Sequence, residues 1–298
     1  MLRLNSELSN KSRPGGSVES TVLQFYDQLA GEYHLMFADW TEEVTRQGET
    51  LARIIQSHLG QANLGTPMPS VLDCACGIGT QAIGLAKQGY RVHATDLSPG
   101  AVARARQEAS AFGVNLTFDV VDFRALANKV SDTFDIVLCG DNSLSHLQED
   151  DELYLAACQM RARLKPGGLL LASIRDYDRL LNPTDAGTAD PGLPGQRGTQ
   201  MQQKPRGTMP QVFDDKDGRR IVFQIWDWAG DGRSYAIHQY FVHETQAGIQ
   251  TTHHVSRFRA LQRHELSAIL TRAGFADIQW QLPAQSGFYQ PLVSARNL

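Results

Sequence analysis

Several things are scarce in this 298-residue sequence, and each scarcity removes a class of protein. No apolar stretch approaches the roughly 18 residues that cross a bilayer, so no membrane partner is expected. Basic charge is not in excess: 28 Lys and Arg stand against 32 Asp and Glu, a net charge of −4. That balance gives no field to gather nucleic acid and favours small-molecule partners. Only four cysteines occur, and none shows the paired C-x-x-C spacing of a zinc site. Cys74 and Cys76 form C-x-C while Cys139 and Cys158 are remote in sequence, so all four read as small buried side chains. His238, His243, His253 and His254 fall on mixed faces of alternating segments, and no metal ligand is assigned. Residues 5–19 are polar, contain Pro14-Gly15-Gly16 and lack the apolar core of a secretion signal. Residues 1–19 are therefore expected to form a disordered tail on a cytoplasmic protein.

What is present begins at Val71-Leu72-Asp73-Cys74-Ala75-Cys76-Gly77-Ile78-Gly79-Thr80-Gln81-Ala82, an apolar run closed by an acid, two glycines and a helix start. Gly77 and Gly79 permit a tight turn and close approach of backbone to a ligand, and the free N–H groups opening the next helix face the same space. The pattern G-x-G-x-x-A serves dinucleotide dehydrogenases as well as methyltransferases. Asp73 separates the two, because a carboxylate there repels a pyrophosphate but accepts hydrogen bonds from an ammonium. S-adenosylmethionine carries that ammonium and no phosphate. Asp96 ends the next apolar run 19 residues after Gly77, close to the roughly 20-residue offset of a ribose-hydroxyl acceptor. After residues 116–121, Asp122 offers a carboxylate to an adenine amino group and Phe123 an apolar face. Three acids at three successive strand ends make S-adenosylmethionine the expected cofactor.

Periodicity supplies the frame. Val22, Phe25, Tyr26 and Leu29, then Leu51, Ile54, Ile55 and Leu59, recur at helical spacing before the first strand. A helix is expected from the glycine loop to about residue 88, then a second strand, then a helix over 99–112 capped by Ser98 with Pro99 at its first position. A fourth strand is expected over 134–139, a helix over 152–164, a turn at Pro166-Gly167-Gly168 and a fifth strand over 169–174. This β-α alternation implies a doubly wound, mostly parallel sheet. The rhythm then breaks into a Pro-, Gly- and Thr-rich segment over 182–210 and three alternating segments over 220–228, 234–244 and 249–258. These read as an antiparallel meander near the cofactor, placed to act as a lid. A helix over 263–273 and two short apolar runs complete the chain. The domain is expected to span 20–298, with N-terminal helices over 20–69, a cofactor-binding core over 70–175, the inserted loop and lid over 182–260 and a C-terminal helix and hairpin over 261–298.

The sequence resembles class I S-adenosylmethionine-dependent methyltransferases through residues 71–80, Asp96-Leu97-Ser98 and Lys165-Pro166-Gly167-Gly168. More narrowly it is similar to the glycine and glycine/sarcosine N-methyltransferases through Phe25-Tyr26-Asp27, Asp141-Asn142-Ser143-Leu144-Ser145-His146-Leu147, Ser173-Ile174-Arg175-Asp176-Tyr177-Asp178 and Ser286-Gly287-Phe288-Tyr289-Gln290-Pro291. The resemblance implies a seven-stranded, Rossmann-like sheet whose last strand is antiparallel, with inserted strands covering the site. It implies cofactor contacts at Tyr26, Tyr33, Asp73, Ala75, Gly77, Gly79, Asp96, Leu97, Asp122, Phe123 and His146. Substrate contacts fall at Asn142, Arg175 and Tyr177. Tyr26 and Tyr33 would close over a sulfonium through cation–π attraction, and the Arg175 guanidinium would hold the acceptor's carboxylate, in competition with a structural pair to Asp176 or Asp178. The implied reaction is N-methylation of glycine, sarcosine or dimethylglycine by direct displacement, with no general base assigned because alignment does much of the work. The alternatives are another small carboxylate-bearing acceptor and a non-catalytic cofactor-binding protein; oligomeric state is left open.

Overall fold

The computed structural model describes residues 21–59, 68–181, 204–216 and 218–298; the expected 1–19 tail and residues 182–203 lie outside them. Two helices come first. α1 (Val22–Leu29) starts at a reciprocal cap in which the Thr21 hydroxyl accepts from Gln24 N–H and the Gln24 side chain accepts from Thr21 N–H. α2 (Trp40–Leu59) buries Leu51, Ile54 and Ile55 of the stripe that its spacing predicts, with Leu59 only partly covered and Val44 buried in addition.

The core alternates β1 (Ser70–Asp73), α3 (Thr80–Lys87), β2 (Arg91–Asp96), α4 (Pro99–Ala111), β3 (Thr117–Val120), β4 (Phe134–Cys139), α5 (Asp150–Ala162) and β5 (Leu164–Ser173). The short α6 (Tyr177–Leu181) follows. A second group comprises β6 (Gln211–Asp215), β7 (Gly218–Trp228), β8 (Ser234–Thr245) and β9 (Gly248–Arg259). The chain closes with α7 (Arg263–Arg272), β10 (Ala276–Gln281), α8 (Pro283–Ser286) and β11 (Leu292–Arg296). One sheet has seven strands in the order β10-β11-β5-β4-β1-β2-β3, with β11 antiparallel to both neighbours and the β3-to-β5 pairings parallel. Successive residues on β1 and β4 enter opposite clusters: Leu72 and Val137 on one face, Val71, Ile136 and Leu138 on the other. Both faces are thus covered, as a parallel sheet requires. Strand order reverses between β1 and β4, which opens a crevice at their C-terminal ends. This is the class I methyltransferase fold.

The structure revises two details. The Pro166-Gly167-Gly168 turn does not stand outside a strand beginning at residue 169. It is a bulge within β5, because Leu164 already pairs with Phe134 and the ladder resumes at Leu169 opposite Ile136, with Gly167 at φ +74 absorbing the excess. The second sheet has four strands, β6-β7-β8-β9, rather than three. Residues 206–208, read from sequence as loop, run along the β7 edge: Thr208 N–H donates to Gln224 O at 3.0 Å and Trp226 N–H to Arg206 O at 2.9 Å. No helix among the described residues is long and apolar enough to cross a membrane.

Helix α1 lies between the sheets. Phe25 and Leu29 join Val222 and Phe241 of the second sheet in one buried cluster. On its other side, Asp27 accepts from Gly100 N–H at 2.9 Å and from the Ser98 hydroxyl, holding the start of α4. α2 meets α3 at a backbone crossing: a Cβ on Gly48 would lie 2.4 Å from Gly84 C and one on Gly84 2.5 Å from Val44 O. Only glycine fits at either position. The crossing places the buried Gln47 against Gln81 at 2.8 Å and the Trp40 indole N–H against Thr80 Oγ1 at 3.1 Å.

Candidate active site

The glycine loop is pinned from both sides. Cys74 N–H donates to Leu138 O of β4 and Cys76 N–H to Thr95 O of β2, each at 2.9 Å. Gly77 N–H reaches Asp96 Oδ2 at 2.8 Å, and Ser98 N–H reaches Asp96 Oδ1 at 2.9 Å. Asp96 is therefore immobilised on a cavity wall with lone pairs to spare. Burial raises its pKa, and those two backbone donors oppose the rise. Gly77 has φ +52, and a Cβ there would meet nothing within 4 Å, so it faces open cavity. Gly79 is at φ +99 with its Cβ position 2.8 Å from Ile83 Cδ1, which makes it a packing glycine at the start of α3.

A cavity open to solvent lies at the C-terminal ends of β1, β2 and β4. Of the sequence-predicted cofactor residues, Tyr26, Tyr33, Ala75, Gly77, Asp96, Leu97, Asp122, Phe123 and His146 line it. Asp73 and Gly79 are not on its surface. Asp73 is buried behind the loop: one oxygen accepts from Ala75 N–H at 3.3 Å, the other has no partner, and burial pushes its pKa up to about 7. An acceptor without a donor in so dry a place suits an incoming cation. Asp122 lies where expected, but its carboxylate is already held by Arg124, through the backbone N–H at 2.8 Å and Nη2 at 2.6 Å. Arg124 in turn pairs with Glu152, closing that end of the cavity.

The opposite end is polar and aromatic. The Tyr26 hydroxyl lies 2.9 Å from His146 Nε2, and His146 Nδ1 faces the Arg257 carbonyl at 3.2 Å. A carbonyl only accepts, so Nδ1 carries the proton and Nε2 accepts from Tyr26. Burial holds the His146 pKa down to about 4, so the ring stays neutral. Burial also raises Tyr26 and Tyr33, reinforced in both by the Asp141 charge. Asn142, Tyr177 and Arg175 form a connected group at the ends of β4 and β5 rather than cavity wall. Asn142 Nδ2 donates to Tyr177 Oη at 2.9 Å, Arg175 N–H donates to Asn142 Oδ1 at 2.9 Å, and the Tyr177 and Tyr235 hydroxyls lie 2.9 Å apart. The Arg175 guanidinium lies 4.6 Å over the Trp226 ring and contacts Tyr235 Oη at 3.3 Å and Gln224 Oε1 at 3.5 Å. Asp176 and Asp178, its sequence-level rivals for a structural pair, go to Arg263 instead. Arg175 forms no ion pair among the described residues.

Sequence reading missed Asp141, Gln81, Arg124 and Glu152 on the cavity wall, and Tyr235 and Gln224 beside Arg175. Asp141 and Asn142 are both left-handed, at φ 54 and 64, a rare state for non-glycine residues whose only sequence signal is the Asp-Asn pair. The histidines divide by face as expected. His238 stacks on His253 with centroids 5.2 Å apart, whereas His254 turns inward to Glu32 at 2.8 Å.

Comparison with known proteins agrees with this geometry. Residues 71–168 match the methyltransferase domain family model. A glycine/sarcosine N-methyltransferase of Parasynechococcus marenigrum is 33% identical over 143 residues, covering 48% of this chain and 48% of that protein. The glycine N-methyltransferase of Mus musculus is 33% identical over 134 residues, covering 41% and 44%. These matches span less than half the length of either relative. Among solved structures, an amino pentose methyltransferase from Micromonospora echinaspora with its methyl donor bound superposes with TM-score 0.63 at 18% identity, over 86% of this chain and 92% of that one. A sugar N-methyltransferase from Streptoalloteichus gives 0.61 at 17% identity, over 99% and 98%. With the seven-stranded order, the pinned glycine loop and the acid at the end of β2, residues 71–168 are a methyltransferase domain on the class I methyltransferase fold.

Proposed function

We propose that this chain methylates the nitrogen of a small amine that carries a carboxylate, glycine or its N-methylated derivatives sarcosine and dimethylglycine. The observation that carries the reading is Arg175. A guanidinium held against Trp226, Tyr235 and Gln224 at the mouth of the strand ends, with no acid paired to it among the described residues, is a cation awaiting a planar anion. The names of the two relatives support the same acceptor class. An amino sugar without a carboxylate would leave Arg175 unanswered.

When bound, S-adenosylmethionine supplies an electrophilic methyl group on a sulfonium. The chain's own residues hold the partners. Asp96 and the Gly77 backbone fix the nucleoside end, and Tyr26 and Tyr33 place aromatic rings beside the cation. Neutral His146 keeps the Tyr26 hydroxyl oriented, and Asn142 and Tyr177 steady Arg175. No residue is required as a general base, since the acceptor enters as the free amine. The reading includes a cytoplasmic setting, as the sequence leads one to expect.

The test is mass spectrometry of products after incubation with S-adenosylmethionine and glycine, sarcosine or dimethylglycine separately. Methylated product from the wild type, reduced about a hundredfold or more in Arg175→Ala with cofactor affinity preserved, supports the reading. Cofactor binding without product from any of the three turns it to another carboxylated acceptor or to a protein that only binds the cofactor.

A further inference from the structure

Asp141, like Arg175, Asp73 and Asp96, is an ionisable side chain at the strand ends without an ion pair among the described residues. It lines the cavity with Tyr26, Tyr33 and His146. Its carboxylate accepts from the Tyr33 hydroxyl, from the Tyr289 hydroxyl at 2.6 Å and from Gln290 Nε2 at 3.5 Å, all neutral donors. A carboxylate offers about four lone-pair sites, so acceptor capacity remains. The backbone that presents it is left-handed at φ 54 and is secured from β5, where Ser173 Oγ takes the Asp141 N–H at 2.9 Å and Ser173 O takes the Asn142 N–H at 3.2 Å. Arg175 reaches the same crossing, its N–H on Asn142 Oδ1. One anion and one cation, both unpaired among the described residues, therefore flank Asn142.

We infer that Asp141 receives the amino group of an α-amino acid acceptor whose carboxylate lies on Arg175. This rests on the acceptor class proposed above and assigns its second contact. The chemistry favours a carboxylate beside nitrogen rather than beside sulfur. As the amine lone pair forms the new N–C bond, the S–C bond breaks and its electron pair stays on sulfur, so positive charge leaves sulfur and appears on nitrogen. An anion at the nitrogen is more strongly attracted in the transition state than in the ground state, whereas one at the sulfur would hold the reactants back. Primary and secondary amines also donate an N–H to Asp141 throughout, and the product departs as its ammonium. A tertiary amine has no such hydrogen, so Asp141 grades acceptors by substitution.

Asp141→Asn is the test, because asparagine tolerates the left-handed backbone; Tyr33 and Tyr289 donate to different carboxylate oxygens, so the amide oxygen keeps one of them and the amide NH2 faces the other hydroxyl, which can accept. Affinity for S-adenosylhomocysteine, measured by calorimetry, is expected to change less than threefold. kcat/KM is expected to fall about ten- to a hundredfold for glycine and less for dimethylglycine. Calorimetric titration of glycine methyl ester, an ammonium without a carboxylate, into the S-adenosylhomocysteine complex reads the same contact without turnover. Binding by the wild type and its loss in Asp141→Asn support the anchor even if no amino acid is methylated, an outcome that would sink the acceptor reading alone. Weakened S-adenosylhomocysteine binding with unchanged acceptor kinetics would move Asp141 to the donor and overturn the inference. Equal ester binding, or none, in both proteins would overturn it as well.

Discussion

At the scale of single residues, two buried ionisable groups at the site give the protein opposite pH dependences. His146 has its pKa held down to about 4 from 6.5, so the folded state resists the proton that the unfolded chain accepts. Its contribution is complete above pH 6.5 and is lost as pH falls toward 4, a loss of about 3 kcal/mol. Asp73 is pushed up from 3.8 to about 7, so it favours the fold while protonated and costs about 4 kcal/mol as pH rises through that window. Because the two slopes nearly cancel in the wild type, each shows only in a variant. Asp73→Asn without ligand is expected to melt several degrees above wild type at pH 8 and by a smaller margin at pH 5, the gap closing toward pH 3.8, read by calorimetry across that range. A second consequence concerns the cofactor. If an ammonium settles on Asp73, binding S-adenosylmethionine at pH 7 releases part of a proton, visible as a binding enthalpy that varies with buffer ionisation heat. A buffer-independent enthalpy would remove Asp73 from the donor site. Residue types announced Asp96 and the glycines because their neighbours in sequence are their neighbours in space. Asp141 was not legible, since Tyr33, Asp141 and Tyr289 meet only after the two ends of the chain have folded onto β4.

At the scale of elements, the glycines of α2 and α3 matter as much as those of the cofactor loop, though neither lies in a motif. Gly48 and Gly84 let the helix backbones touch, and that contact sets Thr80 and Gln81 on the cavity wall. Gly84→Ala forces a methyl against backbone atoms, and overpacking of this kind costs about 1–3 kcal/mol or more. The expected result is a lower urea midpoint with an unchanged m-value and weaker S-adenosylmethionine binding; a midpoint at or above wild type would show that the helices can separate without harm. Helix periodicity, the Ser98 cap and the β-α alternation were readable because they rest on local chemistry. The sequence did not show that residues 206–208 pair with β7, since Pro205 and Gly207 read as breakers and only the long β7 edge makes that pairing available.

At the scale of the whole molecule, α1 is the piece that joins three parts. Phe25 packs on the second sheet, Tyr26 reaches His146 at the end of β4, and Asp27 holds the start of α4. Just beyond the helix, Glu32 accepts from Thr252 Oγ1 at 3.0 Å and pairs with His254 at 2.8 Å, tying the same segment to β9. Eight residues of helix are too few to be stable alone, so α1 is ordered by these contacts and orders the cavity in return. Ligand binding and α1 docking should therefore be linked, each favouring the other by the same free energy. Hydrogen exchange is expected to slow about tenfold or more in α1 and in β8–β9 when S-adenosylhomocysteine is added. Exchange in β10 and β11, far along the sheet from the glycine loop, should stay the same. Glu32→Gln, which touches no cavity atom, should speed α1 exchange and weaken S-adenosylhomocysteine binding together. If it loosens α1 without affecting affinity, the helix covers the site but does not help to form it.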